Sequence, residues 1–276
     1  MLFLLTIIGF LTISSCWSEI FSYNPPKNLS QAIIIGVKKC GTRALLKFLS
    51  IHPAIAVAST ELHFFDSYTN FQHGLQWYRA QIPINRSSQH IIIEKTPSYF
   101  INKSTPLRIA RLLPDAQLII IIRDPITRAI SDYVQLRNRH RFYPSFDDWI
   151  SSSNFTQRTP VKIGCYTQYL RRWLKYFPRH QMHFVDGENL IHHPWEELEH
   201  VQTFLNLPVR IHREDFYFNP NKYGFPCLRQ TNGCLGLNKG RRHPVIANQT
   251  RNKLNDFYLT CNAKLKRLAQ INFSWI

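Results

Sequence analysis

Acidic residues are scarce in this chain. Only 17 Asp and Glu stand against 34 Lys and Arg, leaving a formal charge of +17 before any of the 12 histidines is counted. A folded chain this basic meets a polyanion: nucleic acid, an anionic membrane or a sulfated glycan. Glycine is sparse at 10 residues and the 16 prolines follow no period, which excludes collagen-like and low-complexity architectures. No internal repeat is present. No apolar run approaches the roughly 20 residues of a membrane-spanning helix. The spacings C-x-x-C and H-E-x-x-H are both missing, so the expected chemistry uses no metal. What is abundant is core material: 44% of residues are hydrophobic and 13% aromatic, which excludes a disordered chain.

The first residues indicate the compartment. Residues 2–13, LFLLTIIGFLTI, form a 12-residue apolar run followed by the small residues Ser14, Ser15, Cys16 and Ser18. That length suits a signal-peptide core of about 7–15 residues, although the segment before it carries no Lys or Arg. The expected organisation is a signal peptide or short signal-anchor over 1–18, a linker over 19–30 and one domain over 31–276. Six N-x-S/T sequons, at Asn28, Asn85, Asn102, Asn154, Asn248 and Asn272, agree with a secretory route but are individually weak. Six cysteines are present, and Cys227 and Cys234 bracket a short turn-rich stretch as the obvious local pair. In a secretory lumen the basic charge points to a sulfated or carboxylated glycan rather than to nucleic acid.

The rest of the chain alternates strands and helices. A continuous apolar β-branched run occupies 31–37, and further short apolar runs occupy 54–58, 90–94, 118–123 and 182–187. Such runs suit strands buried on both faces of a parallel sheet. Helical patterns follow the first run (TRALLKFLSIHP) and cover 105–113, 126–138, 165–177, 194–206 and 250–268. The expected fold is α/β, a single doubly wound parallel sheet. Residues 208–246 read as irregular.

Two strand–loop–helix passages carry chemistry. Gly36-Val37-Lys38-Lys39-Cys40-Gly41-Thr42-Arg43 places glycines and cations between a buried strand and a helix start, an anion site built from backbone N–H groups and the helix dipole. Gly36 and Gly41 keep the spacing of a Walker A loop, but Thr42-Arg43 stands where Lys-Ser/Thr belongs. The loop therefore suits an anion handled without Mg²⁺. In LIIIIRDPITRAISDY, Arg123 sits at a strand end, Asp124-Pro125 opens a helix, and Ser131 lies one further turn along. Arg123 and Ser131 are positioned to converge on a second phosphate.

With STELHFFD (59–66), EKTPSYF (94–100), FPCLRQTNGCLG (225–236) and KGRRHP (239–244) added in that order, the chain resembles the heparan sulfate glucosamine 3-O-sulfotransferases from about residue 32 to its end. The resemblance implies a co-substrate, 3′-phosphoadenosine 5′-phosphosulfate (PAPS), and a heparan sulfate acceptor. Lys39, Cys40, Gly41, Thr42 and Arg43 then grip the 5′-phosphosulfate, and Arg123 with Ser131 holds the 3′-phosphate. Lys239, Gly240, Arg241, Arg242 and His243 form a basic loop closing over the nucleotide. Glu61 matches the catalytic base, with His63 and Asp66 beside it. Lys39 stabilises the bridging oxygen and Lys95 the transferring group. Thr96, Pro97, Ser98, Gln135 and Trp173 match acceptor-side positions, and Cys227–Cys234 matches the family disulfide. One departure stands out: the family reads Lys-Gly-Gly-Thr-Arg, and this chain has Cys40 at the first glycine. A position needing positive φ would cost Cys roughly 1 kcal/mol, and the substitution also introduces an oxidisable thiol.

The resemblance implies lumenal Golgi residence or secretion, with no stable protein partner expected. Three alternatives stay open at this level. One is a lumenal sulfotransferase for another glycan position or for tyrosine, the second a non-catalytic heparin-binding protein, and the third a nucleotide kinase.

Overall fold

The computed structural model describes residues 29–83, 90–140, 142–222, 225–230, 233–236 and 240–276. The expected signal segment, most of the linker, the sequons at Asn28 and Asn85, and Lys239 lie outside the described residues.

Five parallel strands make the main sheet: β1 (Ala32–Gly36), β2 (Ile55–Val57), β3 (Ile91–Lys95), β4 (Gln117–Ile122) and β5 (Met182–Asp186). Their order is β2-β3-β1-β4-β5. Every residue of β1 is buried, and β4 is buried from Leu118 onward. That is why their sequences run apolar without alternation: both faces are covered. The helices covering them are α1 (Thr42–Leu49), α2 (Tyr68–Gln72), α3 (Gly74–Gln81), α4 (Thr105–Leu112), α5 (Pro125–Arg137), α6 (Phe146–Ser151), α7 (Thr159–Ile163), α8 (Thr167–Trp173), α9 (Asn189–His192), α10 (Pro194–Phe204) and α11 (Asn248–Ala269). Helix α5 begins as its sequence dictates. The Asp124 carboxylate accepts the Thr127 N–H at 2.7 Å, and Pro125 occupies the first turn, where no N–H is needed.

The strand order fixes where a ligand goes. After β1 the chain runs outward to β2 and returns as β3. After β4 it runs the opposite way to β5. The loops leaving β1 and β4 therefore diverge, and the crevice between them at the carboxyl ends of the strands is the topological switch point. Both phosphate-loop sequences lie on its two sides.

The stretch expected to be irregular contains a second, two-stranded antiparallel sheet, β6 (Phe216–Phe218) with β7 (Pro226–Leu228). Strands of three residues are too short for alternation to reveal them in sequence. Tertiary contacts hold the hairpin: Phe216 packs edge-on against Phe48 of α1 with centroids 5.1 Å apart, and Lys47 of α1 donates to the Cys234 carbonyl at 3.1 Å. Cys227 of β7 and Cys234, in the segment just after it, are paired, as expected. A second disulfide was not anticipated. Cys165, just before α8, pairs with Cys261 of α11 across 96 residues, with Cα atoms 5.3 Å apart. Cys40 is the free cysteine among the described residues.

Non-reducing peptide mapping should recover Cys227–Cys234 and Cys165–Cys261, with Cys40 alkylated only after unfolding. Reducing the 96-residue link should lower the melting temperature more than reducing the short one, because closing a long loop restricts the unfolded chain more.

Candidate active site

The loop after β1 turns through two left-handed residues, Lys39 at φ 76° and Gly41 at φ 108°. Cys40, between them, is not in that region, so the residue that replaces a family glycine meets no φ penalty here. Its side chain is buried, with Sγ 3.8 Å from the Tyr166 hydroxyl. Burial pushes the thiol up to about 11, outweighing the nearby Arg128 and Arg123 charges. The expected oxidisable thiol is thus a buried, protonated packing group.

One cavity of about 990 Å³ gathers the separated motifs. Lys39, Gly41, Thr42 and Arg43 line it from the β1 loop, Arg123, Ser131 and Gln135 from β4 and α5, and Gly240, Arg241, Arg242 and His243 from the C-terminal loop. Glu61, His63, Pro97 and Ser98 line the same space. His243 is held below its ordinary pKa by burial and by the charges of Arg123 and Lys39, with Glu188 opposing. Among the described residues no group of three or more His, Cys, Asp or Glu is arranged to hold a metal ion.

The two phosphate loops are joined by a buried ionic frame. Arg128 of α5, fully buried, pairs with Asp132 at 3.1 Å, donates to the Lys38 carbonyl at 3.2 Å, and also donates to the Pro160 carbonyl. The Lys38 ammonium reaches the same carboxylate at 3.0 Å. Burial alone would raise the Asp132 carboxyl, but Arg128 and Lys38 outweigh it and hold it below the usual range. The sequence reading missed this frame; the Arg128/Asp132 spacing of four on one helix was its available signal.

A second set of polar groups faces the cavity from the β2 and β3 side. The Glu61 carboxylate takes the Lys95 ammonium on Oε1, and its Oε2 lies 3.7 Å from His63 Nε2. His63 Nδ1 lies 3.2 Å from both oxygens of Asp66, and Ser98 donates to Asp66 Oδ2. Glu61 and His63 are 40% and 45% exposed, whereas Lys95 is 4% exposed. The exposed carboxylate is thus backed by a buried cation, and the imidazole by a carboxylate. His63 itself sits at φ 50°, a strained left-handed conformation for a histidine.

The sulfotransferase domain model matches residues 29–268. Mouse heparan sulfate glucosamine 3-O-sulfotransferase 3B1 is 44% identical over 94% of this chain and 68% of its own length. Human heparan sulfate glucosamine 3-O-sulfotransferase 5 is 43% identical over 90% of this chain and 75% of its own. This chain belongs to the heparan sulfate glucosamine 3-O-sulfotransferase family. The fold alone is shared more widely. A sulfotransferase from Alicyclobacillus acidocaldarius superposes with a TM-score of 0.66 at 19% identity, over 90% of this chain and 98% of that one. Mouse sulfotransferase SULT7A1, complexed with PAP, gives 0.53 at 17% over 86% and 85%.

Four residues expected on the acceptor side, Trp173, Thr96, Lys95 and Asp66, do not line this cavity. Trp173 is fully buried and donates its indole N–H to the Phe100 carbonyl at 3.0 Å, so it supports the turn after β3 and does not face the cavity. Thr96 is fully buried as well. Lys95 and Asp66 do not line the cavity either; they contact Glu61 and His63, which do.

Beneath this site, Glu94 is completely buried. The Tyr78 hydroxyl lies 2.9 Å from both Glu94 Oε1 and Ser30 Oγ. The Tyr99 hydroxyl lies 3.4 Å from Oε2 and accepts the Phe64 and Phe65 N–H groups that flank His63 and Asp66. Burial pushes the Glu94 carboxyl up to about 8, against the two tyrosine hydrogen bonds. The folded protein therefore keeps a proton that the unfolded chain loses at lower pH, and stability falls as pH rises through this window. Glu94→Gln has nothing to ionise. Thermal melts from about pH 5 to about pH 9 should show wild type losing stability relative to Glu94→Gln, the gap opening as pH rises. Parallel curves would contradict a neutral Glu94.

Proposed function

We propose that this chain transfers the sulfuryl group of PAPS to the 3-hydroxyl of glucosamine residues in heparan sulfate, within the secretory pathway and in the Golgi lumen. The observation that carries this reading is the shared cavity. Glu61 and His63 open into the same space as Lys39, Arg43, Arg123 and the C-terminal basic loop. A non-catalytic heparin-binding surface has no need of a backed carboxylate facing an anion pocket.

The donor set fits a nucleotide with anions at both ends. Loop amides, Lys39 and Arg43 stand at the helix start for the 5′ end, and Arg123 and Ser131 at the strand end for the 3′ end. PAPS, when bound, supplies an activated sulfuryl group on a phosphate leaving group. Glu61 accepts the proton of the attacking sugar hydroxyl, with Lys95 and His63 fixing its carboxylate. Lys39 faces the charge that develops on the leaving side, a preorganised cation of the oxyanion-hole kind. Asp66 and Ser98 fix the His63 ring. Positive charge elsewhere on the +17 surface attracts the polyanionic acceptor.

Glu61→Gln should still bind adenosine 3′,5′-bisphosphate and heparan sulfate, while turnover with labelled PAPS falls about 10²–10⁴-fold. Its melting temperature should also drop, because the buried Lys95 ammonium loses its counter-charge. More than about a tenth of wild-type turnover would move the base elsewhere, with His63 next in line. Lys39→Ala should abolish transfer and weaken product-nucleotide binding much less, since Arg123, Ser131 and the loop amides remain. Calorimetric titration beside the transfer assay separates the two effects. Disaccharide analysis of the labelled polymer tests the position of sulfation, and label at any position other than the 3-hydroxyl overturns the acceptor assignment.

A further inference from the structure

The chemistry above leaves one group of the anion site unused. Glu188 lines the same cavity as Arg123, Ser131 and Arg43. A carboxylate there repels every anionic ligand. Its contacts are nonetheless specific: Oε1 accepts from Arg123 Nε at 2.9 Å and Oε2 from Arg123 Nη2 at 2.8 Å. Two parallel bonds on one edge of a guanidinium fix both its plane and its rotation. The Arg123 side chain is 12% exposed and Glu188 27%, so the pair is largely shielded from solvent. Glu188 takes the Nε–Nη2 edge and leaves Nη1, with the second Nη2 hydrogen, as an end-on fork for another acceptor.

The turn that carries Glu188 is built to bring it there. Gly187 donates to the Ile122 carbonyl at 2.7 Å. A Cβ at residue 187 would stand 2.7 Å from the Cys40 carbonyl, 3.0 Å from that of Ile122 and 3.1 Å from Arg123 Cβ. Only glycine lets β5 end this close to both phosphate loops. Asp186 Oδ1 then accepts the Glu188 N–H at 2.9 Å and the Trp275 indole N–H at 3.0 Å, tying the turn to the C-terminal segment.

We infer that Glu188 is a positioning residue that locks the Arg123 guanidinium in the orientation selecting nucleotides with a 3′-phosphate over those anionic at the 5′ end alone. The inference rests on the proposed role of Arg123 as 3′-phosphate ligand. Removing Glu188 removes a repulsion felt by any anionic nucleotide, and it frees a guanidinium needed only for the 3′ end. The informative quantity is therefore a ratio of affinities rather than either affinity.

The experiment is calorimetric titration of the whole protein with adenosine 3′,5′-bisphosphate and with adenosine 5′-monophosphate, for wild type, Glu188→Ala, Glu188→Gln and Arg123→Ala. Glu188→Ala should lower the preference for the bisphosphate about tenfold, through the ordering that the bound guanidinium must then undergo. Affinity for the monophosphate should hold or tighten. Glu188→Gln keeps the volume and one accepting oxygen, so its preference should fall between wild type and Ala. It also serves as the test protein if the Ala variant does not fold. An unchanged ratio in both Glu188 variants, with Arg123→Ala losing the preference, overturns the inference and leaves the Arg123 assignment standing. A preference that survives Arg123→Ala overturns both. Equal weakening of both nucleotides together with a lowered melting temperature assigns Glu188 a structural role and also overturns the inference.

Discussion

The pairing of Arg128 with Asp132 and Lys38 keeps the two phosphate loops in register. One loop leaves β1 and the other leaves the neighbouring β4, and the last backbone link between them there is the Val37 N–H to the Ile121 carbonyl at 2.8 Å. Beyond that link, Arg128 joins them from within α5. It holds the Lys38 carbonyl on one side and its own helix partner on the other. Taking a guanidinium out of water is costly unless its charge is matched, and removing one partner of such a buried pair costs about 3–5 kcal/mol. The frame is therefore worth more for the geometry it imposes than for net stability. Loosening it separates Lys39 and Arg43 from Arg123 and Ser131.

The cavity is electrostatically divided, and the division follows the sheet. Cations from the β1 loop, the β4 end and the C-terminal loop gather on one side. The carboxylate of Glu61 stands on the β2 and β3 side, with Asp66 behind His63. Each of those carboxylates has a partner, Lys95 for Glu61 and His63 for Asp66. Glu188 departs from this division as an anion on the cationic side, and its bidentate hold on Arg123 gives it a reason to be there. Neutral Glu94 lies beneath the boundary and ties the backbone around His63 to β3 through Tyr99.

Two supports reach the site from far along the chain. The hairpin of β6 and β7 leans on α1 through Phe216 and Lys47, so the disulfide segment that lines the cavity is anchored to the helix whose N-terminus lines it too. The C-terminal segment reaches Asp186 through Trp275.

The sheet and the order of the motifs along it were legible in the chain. Continuous apolar runs suit strands covered on both faces, and their alternation with helices suits parallel pairing. The phosphate loops were legible because a strand, a glycine turn and a helix start form a local unit within one stretch of chain. The helix cap at Asp124 and the pairing of Cys227 with Cys234 were legible for the same reason. Contacts between residues far apart were legible only in the folded molecule. Lys95 meets Glu61 across 34 positions and Arg123 meets Glu188 across 65, while Cys165 meets Cys261 across 96. Periodicity and spacing report on neighbours within a turn or a pleat, and they carry no record of which distant side chains the sheet brings face to face. Trp173 shows the limit most plainly. A tryptophan beside two arginines has the composition of a glycan-binding surface, but the packing of α8 turns its ring inward to the Phe100 carbonyl, a direction fixed by the fold and not by its neighbours in sequence.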